Sequence, residues 1–368
     1  MGYSKRKGFY HAHEKKRGKP LITYVTSIRQ NMPSQMATDA ITTIIEQINQ
    51  IPENKDEVDF LIISNGGDPI VALRVINLLR ERFKRVSVIV PYVAFSAATI
   101  LALGADEIVM HPYSNLGPID PQLSVVKPNA QGQPSQIQFS SEDIRSYIEF
   151  IRSDVGISDP AQLISAFNSL SAEVGPVRIG TSKRSQLLSM ALSNKMLETH
   201  IEDKNKAEEI AKALNTSYFH HGYAVSRKEA KDIGLNVVFP DKGLEEIMWA
   251  IWTDFSNEMK CNQPFEPISE IMGNPAAKQA ISQLPVISLP MNTPPPLAQN
   301  MIAQLAKQHT QVVQQAPIEF THPMAAIESL HRAYAFTNRF TVVYWRDANM
   351  AVSYNITAHS KGWELMAT

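Results

Sequence analysis

Apolar residues fall along this chain in two alternating rhythms. "PLITYVTS" (20–27), "DFLIIS" (59–64), Val86–Val90 and "EIVM" (107–110) are short runs of mostly apolar residues, rich in the β-branched type and bounded by charge, glycine or proline. Such runs predict strands buried on both faces. Between them the spacing changes to a helical period. "PSQMATDAITTIIEQINQI" puts Ile41, Ile44, Ile45 and Ile48 on one face, with Ser34 as the candidate N-cap. "DPIVALRVINLLRERF" has Asp68 at the cap, Pro69 in the first turn, and Ala72, Val75, Ile76, Leu79 and Phe83 on one face. Strands and helices alternating at short intervals predict an α/β fold with a largely parallel sheet and right-handed crossovers.

One stretch tests that reading. From Val86 to Ala105 there is no charged residue, and about 20 apolar residues suffice to span a bilayer. The composition changes part-way, however. "RVSVIVPYVAF" is β-branched and carries Pro91, whereas "SAATILALGADE" is rich in helix formers. The expectation is therefore a strand at 86–90, a turn, a helix from Ser96 to Gly104, and no integral membrane span. Lys84 and Arg85 flank the stretch and keep the membrane reading as its alternative.

Composition narrows the class. Hydrophobic residues make up 44% of the 368, charged residues 19%, and the net charge is -1. That is ordinary for a globular protein and gives no general electrostatic case for nucleic acid. The exception is "SKRKGFYHAHEKKRGK" (4–19), with Glu14 as its one acid. Residues 1–19 read as a solvated, flexible basic tail, with RNA or a membrane surface as alternative contacts. Cys261 is the only cysteine, so no disulfide can form within the chain. With no apolar run of signal-peptide length near the start, a cytoplasmic location is expected. No cofactor is expected either. The paired glycines 66–67 are not followed by the Lys-Ser/Thr of a P-loop, and His220–His221 lack partner ligands at metal-binding spacing.

Two places can carry chemistry. "ISNGGDP" (63–69) ends a strand and opens a helix. Its glycines let backbone approach a ligand, and free N–H groups at a helix start favour an oxygen gaining negative charge. Ser96 stands at the start of the next helix, where the Ala97 amide would face the same space as its hydroxyl. Each has a plainer reading: a strand-to-helix turn for the glycines, a helix cap for Ser96.

The order of these two constellations, about one βα unit apart, resembles the Clp-protease/crotonase superfamily. "SNGG" resembles its oxyanion loop and "AFSAAT" its nucleophile turn. "ALGADEIVMHPYSNLGPIDPQL" (102–123) and, more loosely, "HGYAVSRKEAKDIGLNV" (221–237) resemble the serine dehydrogenase proteinase family. The resemblance runs over roughly residues 20 to 255. It implies stacked ββα units, Ser96 as nucleophile, the amides of Gly67 and Ala97 as oxyanion hole, and peptide hydrolysis through an acyl-enzyme. It also implies a homo-oligomer.

The base does not carry over. Clp proteolytic subunits place a histidine about 25 residues after the serine; here positions 120 and 121 are Asp120 and Pro121. His111 falls too early, and Asn236 and Val237 stand where relatives have their catalytic aspartate. Signal-peptide-peptidase relatives use a Ser-Lys dyad, which makes Lys183 and Lys127 candidates if burial lowers their pKa. His221 is a third candidate. Surface lysines and a structural turn histidine are the plainer readings.

Downstream, helices are expected at 139–156, from Pro160, over 176–200, after a Ser226–Glu229 capping box, and over "GLEEIMWAIWTDF", with "LNVVF" as a strand. The loop 125–138 borders the substrate groove or forms a surface hairpin. Residues 264–296 hold eight of the 23 prolines, which reads as a linker or wrapping arm. "LAQNMIAQLAKQ" and "MAAIESLHRAYAF" read as helices, and "RFTVVYWRDANMAVSYNITA" as a hairpin turning at Asp347–Asn349. The expected organisation is a tail (1–19), a Clp-protease/crotonase-like core (20–258), a Pro-rich arm (259–297) and a C-terminal extension of helices and a β-hairpin (298–368) for oligomer or protein-partner contacts. The leading expectation is a serine hydrolase acting on a peptide or protein. An inactive assembly protein and crotonase-like acyl-thioester chemistry are its alternatives.

Overall fold

In a computed structural model, the described residues are 2–129, 132–216, 218, 220–282, 288–290, 292–310, 316–346 and 351–366. The apolar runs form strands β1 (Leu21–Thr26), β2 (Glu57–Ile63), β3 (Arg85–Val90) and β4 (Glu107–Met110), joined by β5 (Val237–Val238). All neighbours among these five pair in parallel. Three further strands, β6 (Ile318–Glu328), β7 (Ala333–Arg346) and β8 (Val352–Leu365), continue the same sheet in antiparallel pairing. The order is β5-β4-β3-β2-β1-β6-β7-β8.

Both faces of the sheet are covered, which is why the strands read as unbroken apolar runs. Phe60 and Ile62 of β2 pack on one side with helices α2 (Ala40–Asn49), α3 (Pro69–Arg82) and α4 (Ala97–Leu103). Leu61 and Ile63 point to the other side, against α1 (Tyr3–Arg17) and α10 (Lys242–Glu258). The uncharged stretch 86–105 is accounted for by β3, the two-residue strand Val93–Ala94 and α4. No helix among the described residues is long and apolar enough to cross a membrane.

Between β4 and β5 the chain makes a hairpin (Leu123–Pro128 with Pro134–Phe139) and then α5 (Ser141–Ser153), α6 (Pro160–Val174), α7 (Pro176–Leu197), α8 (Lys204–Thr216) and α9 (Arg227–Asp232). Their starts follow the sequence signals. Ser140 and Ser226 each close a capping box, and Asp159 caps α6. α5 and α6 have no buried residue, so this excursion stands away from the core.

Four expectations are corrected. Residues 1–19 are not a flexible tail: Tyr3–Arg17 is a helix with Tyr3, Arg6, Tyr10 and His13 buried. The basic residues there have internal acids to meet. Arg6 is fully buried and donates to both oxygens of Glu328, at 2.9 and 2.6 Å, and to Asp254 at 2.8 Å. It also pairs with Glu258 and stacks on Phe255. Arg17 and His13 meet on Asp59, each at 2.8 Å. α2 starts at Ala40 after Asp39, not after Ser34, because Met36 is held in extended pairing with Gly66 and Asp68. "MAAIESLHRAYAF" is not a helix. It supplies the end of β6, a turn closed by Ser329 N–H on the Arg332 carbonyl (2.9 Å), and the start of β7. Ala325 and Ile327 face one core while Ala326 and Ala333 face the other, a period-two pattern. Finally, the C-terminal region is not a separate extension, since its strands complete the main sheet. Within the Pro-rich arm, Pro267–Gly273 and Pro275–Ser282 are short helices packed on β7 through Ile271, Ala277 and Ile281. The expected turn at Asp347–Asn349 lies outside the described residues.

Asp59 is buried. Desolvation pushes its pKa up, but hydrogen bonds and charge from His13 and Arg17 outweigh this and hold it below the ordinary 3.8. A lowered folded pKa stabilises above the unfolded value and is lost as pH falls through the folded one. Asp59→Asn is therefore expected to be less stable than the parent at neutral pH, with a deficit that shrinks below about pH 3.8. Arg6→Ala strands two buried carboxylates and is expected to cost about 3–5 kcal/mol. Urea titration at several pH values checks both; a loss under about 1 kcal/mol for Arg6→Ala would contradict a tightly docked α1.

Candidate active site

β2 runs out at Ile63, and Ser64 ties the following loop to its neighbours. Ser64 N–H donates to the Val93 carbonyl (3.1 Å) and Phe95 N–H to the Ser64 carbonyl (2.9 Å). The Ser64 hydroxyl accepts from Gly66 N–H at 3.1 Å. Gly66 and Gly67 then adopt φ of 105° and 146°, a region that favours glycine. A Cβ on Gly66 would sit 2.8 Å from Phe95 O and from Ser96 Cβ; one on Gly67 would sit 2.3 Å from Met36 O. On the Met36 side, Met36 N–H donates to the Gly66 carbonyl (2.8 Å) and Asp68 N–H to the Met36 carbonyl (2.9 Å). Among the described residues, no hydrogen bond engages the Gly67 amide or that of Ala97, the first residue of α4.

Ser96 follows the tight passage from Val93–Ala94. Thr99 braces that passage: its hydroxyl donates to Ala94 O at 2.6 Å and contacts Gly117 O at 2.9 Å. Ser96 itself has φ 53° and ψ −118°, a strained backbone for a residue with a side chain. Its hydroxyl makes no capping hydrogen bond to α4. The helix-cap reading of Ser96 therefore fails, and the half-buried hydroxyl is left facing the cleft.

That cleft has a volume of about 510 Å³ and is lined by Gly67, Asp68, Ser96, Ile100, Ile119 and His221, among others. Asp120 stands beside it. His221 Nδ1 lies 2.8 Å from Asp120 Oδ1, and Gln122 Nε2 donates to Asp120 Oδ2 at 2.7 Å. The Asp120 segment is itself anchored, by Ser189 Oγ on Ile119 O (2.6 Å) and Ile119 N–H on Leu214 O (3.0 Å). A carboxylate on Nδ1 selects the tautomer that carries the proton there and leaves Nε2 as the basic nitrogen.

The other candidates are elsewhere. Lys183 is exposed on α7, donates to Gln186 at 3.2 Å, and lines a different depression between α5 and α7. Lys127 pairs with Glu173 at 2.7 Å on the outer hairpin. Neither lines the Ser96 cleft, and neither is buried. His111 is buried and stacked on Trp249, its pKa lowered by desolvation. Of the described residues in the loop 125–138, none lines the cleft; they belong to the hairpin. Among the described residues no group of His, Cys, Asp and Glu could hold a metal ion.

The structure thus brings Gly67, Ser96 and His221 to one cleft and leaves Lys183 and Lys127 outside it; Asp120, the partner of His221, is not among the residues singled out from the sequence. Its signal was there to be read: an acid between Pro118 and Pro121, in a rigid turn beyond a strand end.

The strain at Ser96 has a measurable consequence. Glycine tolerates positive φ and alanine does not, so Ser96→Gly is expected to be more stable than Ser96→Ala by about 1 kcal/mol. Paired denaturation curves test this; equal stability would mean that the turn relaxes away from positive φ.

Residues 27–142 match the model of the ClpP-like SDH-type serine proteinases. That span contains Gly67, Ser96, Ala97 and Asp120; Lys183 and His221 lie beyond it. An uncharacterised protein of Methanocaldococcus jannaschii is 28% identical over 194 residues, 53% of this chain and 57% of that protein. A second from the same organism is 25% identical over 194 residues, covering 53% and 56%. The chain therefore spans a little over half the length of these curated relatives. A solved structure, a serine-to-alanine mutant of the 1510-N membrane-bound stomatin-specific protease, is 17% identical, with a TM-score of 0.32, over 62% of this chain and 84% of its own. The similarity to the ClpP-like SDH-type serine proteinases thus falls on residues 27–142, the part of the chain that builds the paired glycines and the Ser96 turn.

Proposed function

We propose that this protein is a serine peptidase using Ser96, His221 and Asp120. The observation that carries the reading is the 2.8 Å contact between His221 Nδ1 and Asp120, made at the cleft into which an uncapped Ser96 hydroxyl opens. In this reading His221 Nε2 takes the Ser96 proton as Oγ attacks a peptide carbonyl. The amides of Gly67 and Ala97 hold the developing oxyanion, and His221 then protonates the leaving amine. Water repeats the sequence on the acyl-enzyme. Asp120 keeps the imidazole oriented and stabilises its cation.

Two features support the peptidase over the inactive-assembly alternative. Backbone strain is maintained at the serine, and the Gly67 amide has no hydrogen-bond partner among the described residues; such features persist where function uses them. The role of Lys183 as base is withdrawn in favour of His221, because Lys183 lies outside the cleft. A homo-oligomer remains part of the proposal. Exposed Ile164, Phe167, Val177 and Leu187 on α6 and α7 support it.

A fluorophosphonate probe is expected to label Ser96 in the parent protein and not in Ser96→Ala, read by intact mass and peptide mapping. His221→Ala is expected to slow labelling by about 10²–10⁴-fold, and Asp120→Asn to slow it as well, while Lys183→Ala labels at the parental rate. Absence of labelling in folded parent protein would sink the hydrolase reading. A large loss with Lys183→Ala would restore the lysine.

A further inference from the structure

A second concavity, of about 340 Å³, lies where the C-terminal strands meet the core. Gln35 lines it and also lines the Ser96 cleft, so the two are adjoining spaces on either side of the extended segment around Met36. Its wall is aromatic. Tyr24 of β1, Phe336 of β7 and Trp363 of β8 pack in a row, with Trp363 centred 6.4 Å from Tyr24 and 5.6 Å from Phe336. Its polar side chains include Ser34, Gln35 and Asn338, and Asp39 is the one charged group among them. Asp39 receives the Trp363 indole N–H at 3.0 Å through Oδ2, leaving the other oxygen free of it. Asn338 Oδ1 is buried and has no hydrogen-bond partner. Neither Lys nor Arg lines this concavity or the Ser96 cleft.

A carboxylate beside aromatic side chains, with no competing cation in the lining, forms a site for a positively charged donor. We infer that this pocket is a subsite for a cationic side chain, that of arginine or lysine, on the peptide lying in the Ser96 cleft. The inference rests on the peptidase reading and adds the class of substrate. Asp39 supplies the countercharge, and the Trp363 ring offers a face to the flat guanidinium.

The test uses binding, so it stands apart from the chemistry. Full-length Ser96→Ala protein is titrated with Nα-acetyl-arginine methylamide and with the citrulline analogue, which keeps the shape and removes the charge. Tryptophan fluorescence is followed, with Trp363→Phe assigning the signal. The expected result is a saturable change with the arginine compound and at least tenfold weaker binding of the citrulline one. Asp39→Asn, which can still accept from Trp363, is expected to narrow that gap to under threefold. Equal binding of the two ligands, or a preference that survives Asp39→Asn, would overturn the inference. So would a response that persists undiminished in Trp363→Phe. Any of these results leaves the labelling of Ser96 untouched, and failure of Ser96 to label leaves this binding measurement equally readable.

Discussion

Three stretches of backbone meet at Gly66 and Gly67, and little else in the site is free to move once they have met. On one side Met36 brackets the glycines with two hydrogen bonds; on the other Phe95 and Ser96 press within 2.8 Å of where a side chain would begin. The absence of side chains at 66 and 67 allows this approach, and the approach sets the rest. It brings the Ala97 amide to 3.0 Å from where a side chain on Gly66 would begin, next to a Ser96 held at positive φ. A cap and a nucleophile make opposite demands on a serine at a helix start, and the Ser96 side chain makes no cap hydrogen bond here.

The outer parts of the fold serve that meeting point. Arg6 joins α1 to α10 and to β6 through buried carboxylates, and Arg17 with His13 joins α1 to β2. The two ends of the chain are thereby fastened to the same sheet, and β1, next to the glycine-bearing β2, has a partner on each edge. The added strands β6 to β8 also supply Phe336 and Trp363 to the pocket beside the cleft. A region that would look dispensable as an appendage thus forms part of the wall of the concavity that shares Gln35 with the Ser96 cleft.

Much of this was legible in the chain itself. Buried parallel strands announce themselves as unbroken apolar runs, and helix starts as Asp-Pro or Ser-x-x-Glu, because those patterns reflect local chemistry. The failures came where local chemistry was overruled from a distance. The basic run 4–19 reads as solvated until Glu328, Asp254 and Asp59, far off in sequence, are known to face it. "MAAIESLHRAYAF" has the composition of a helix, yet β1 offers an edge that captures it as strand, a tertiary override of a weak propensity. Asp120 and His221 are 101 residues apart, and no spacing rule within a single segment can pair them. Gly67, Ser96 and Ala97 could be grouped from the sequence because one βα unit carries them; the pairing of His221 with Asp120 could not, because an entire helical excursion lies between them.

The central claim is geometric: an oxyanion formed on Ser96 points at two waiting amides, with His221 at its flank. The most direct test is the structure of the protein after reaction with a phosphonylating inhibitor. The account predicts phosphorus bonded to Ser96 Oγ, the phosphonyl oxygen within about 3 Å of both the Gly67 and Ala97 nitrogens, and His221 still hydrogen-bonded to Asp120. An adduct whose oxygen faces solvent, or one attached to another residue, would contradict it.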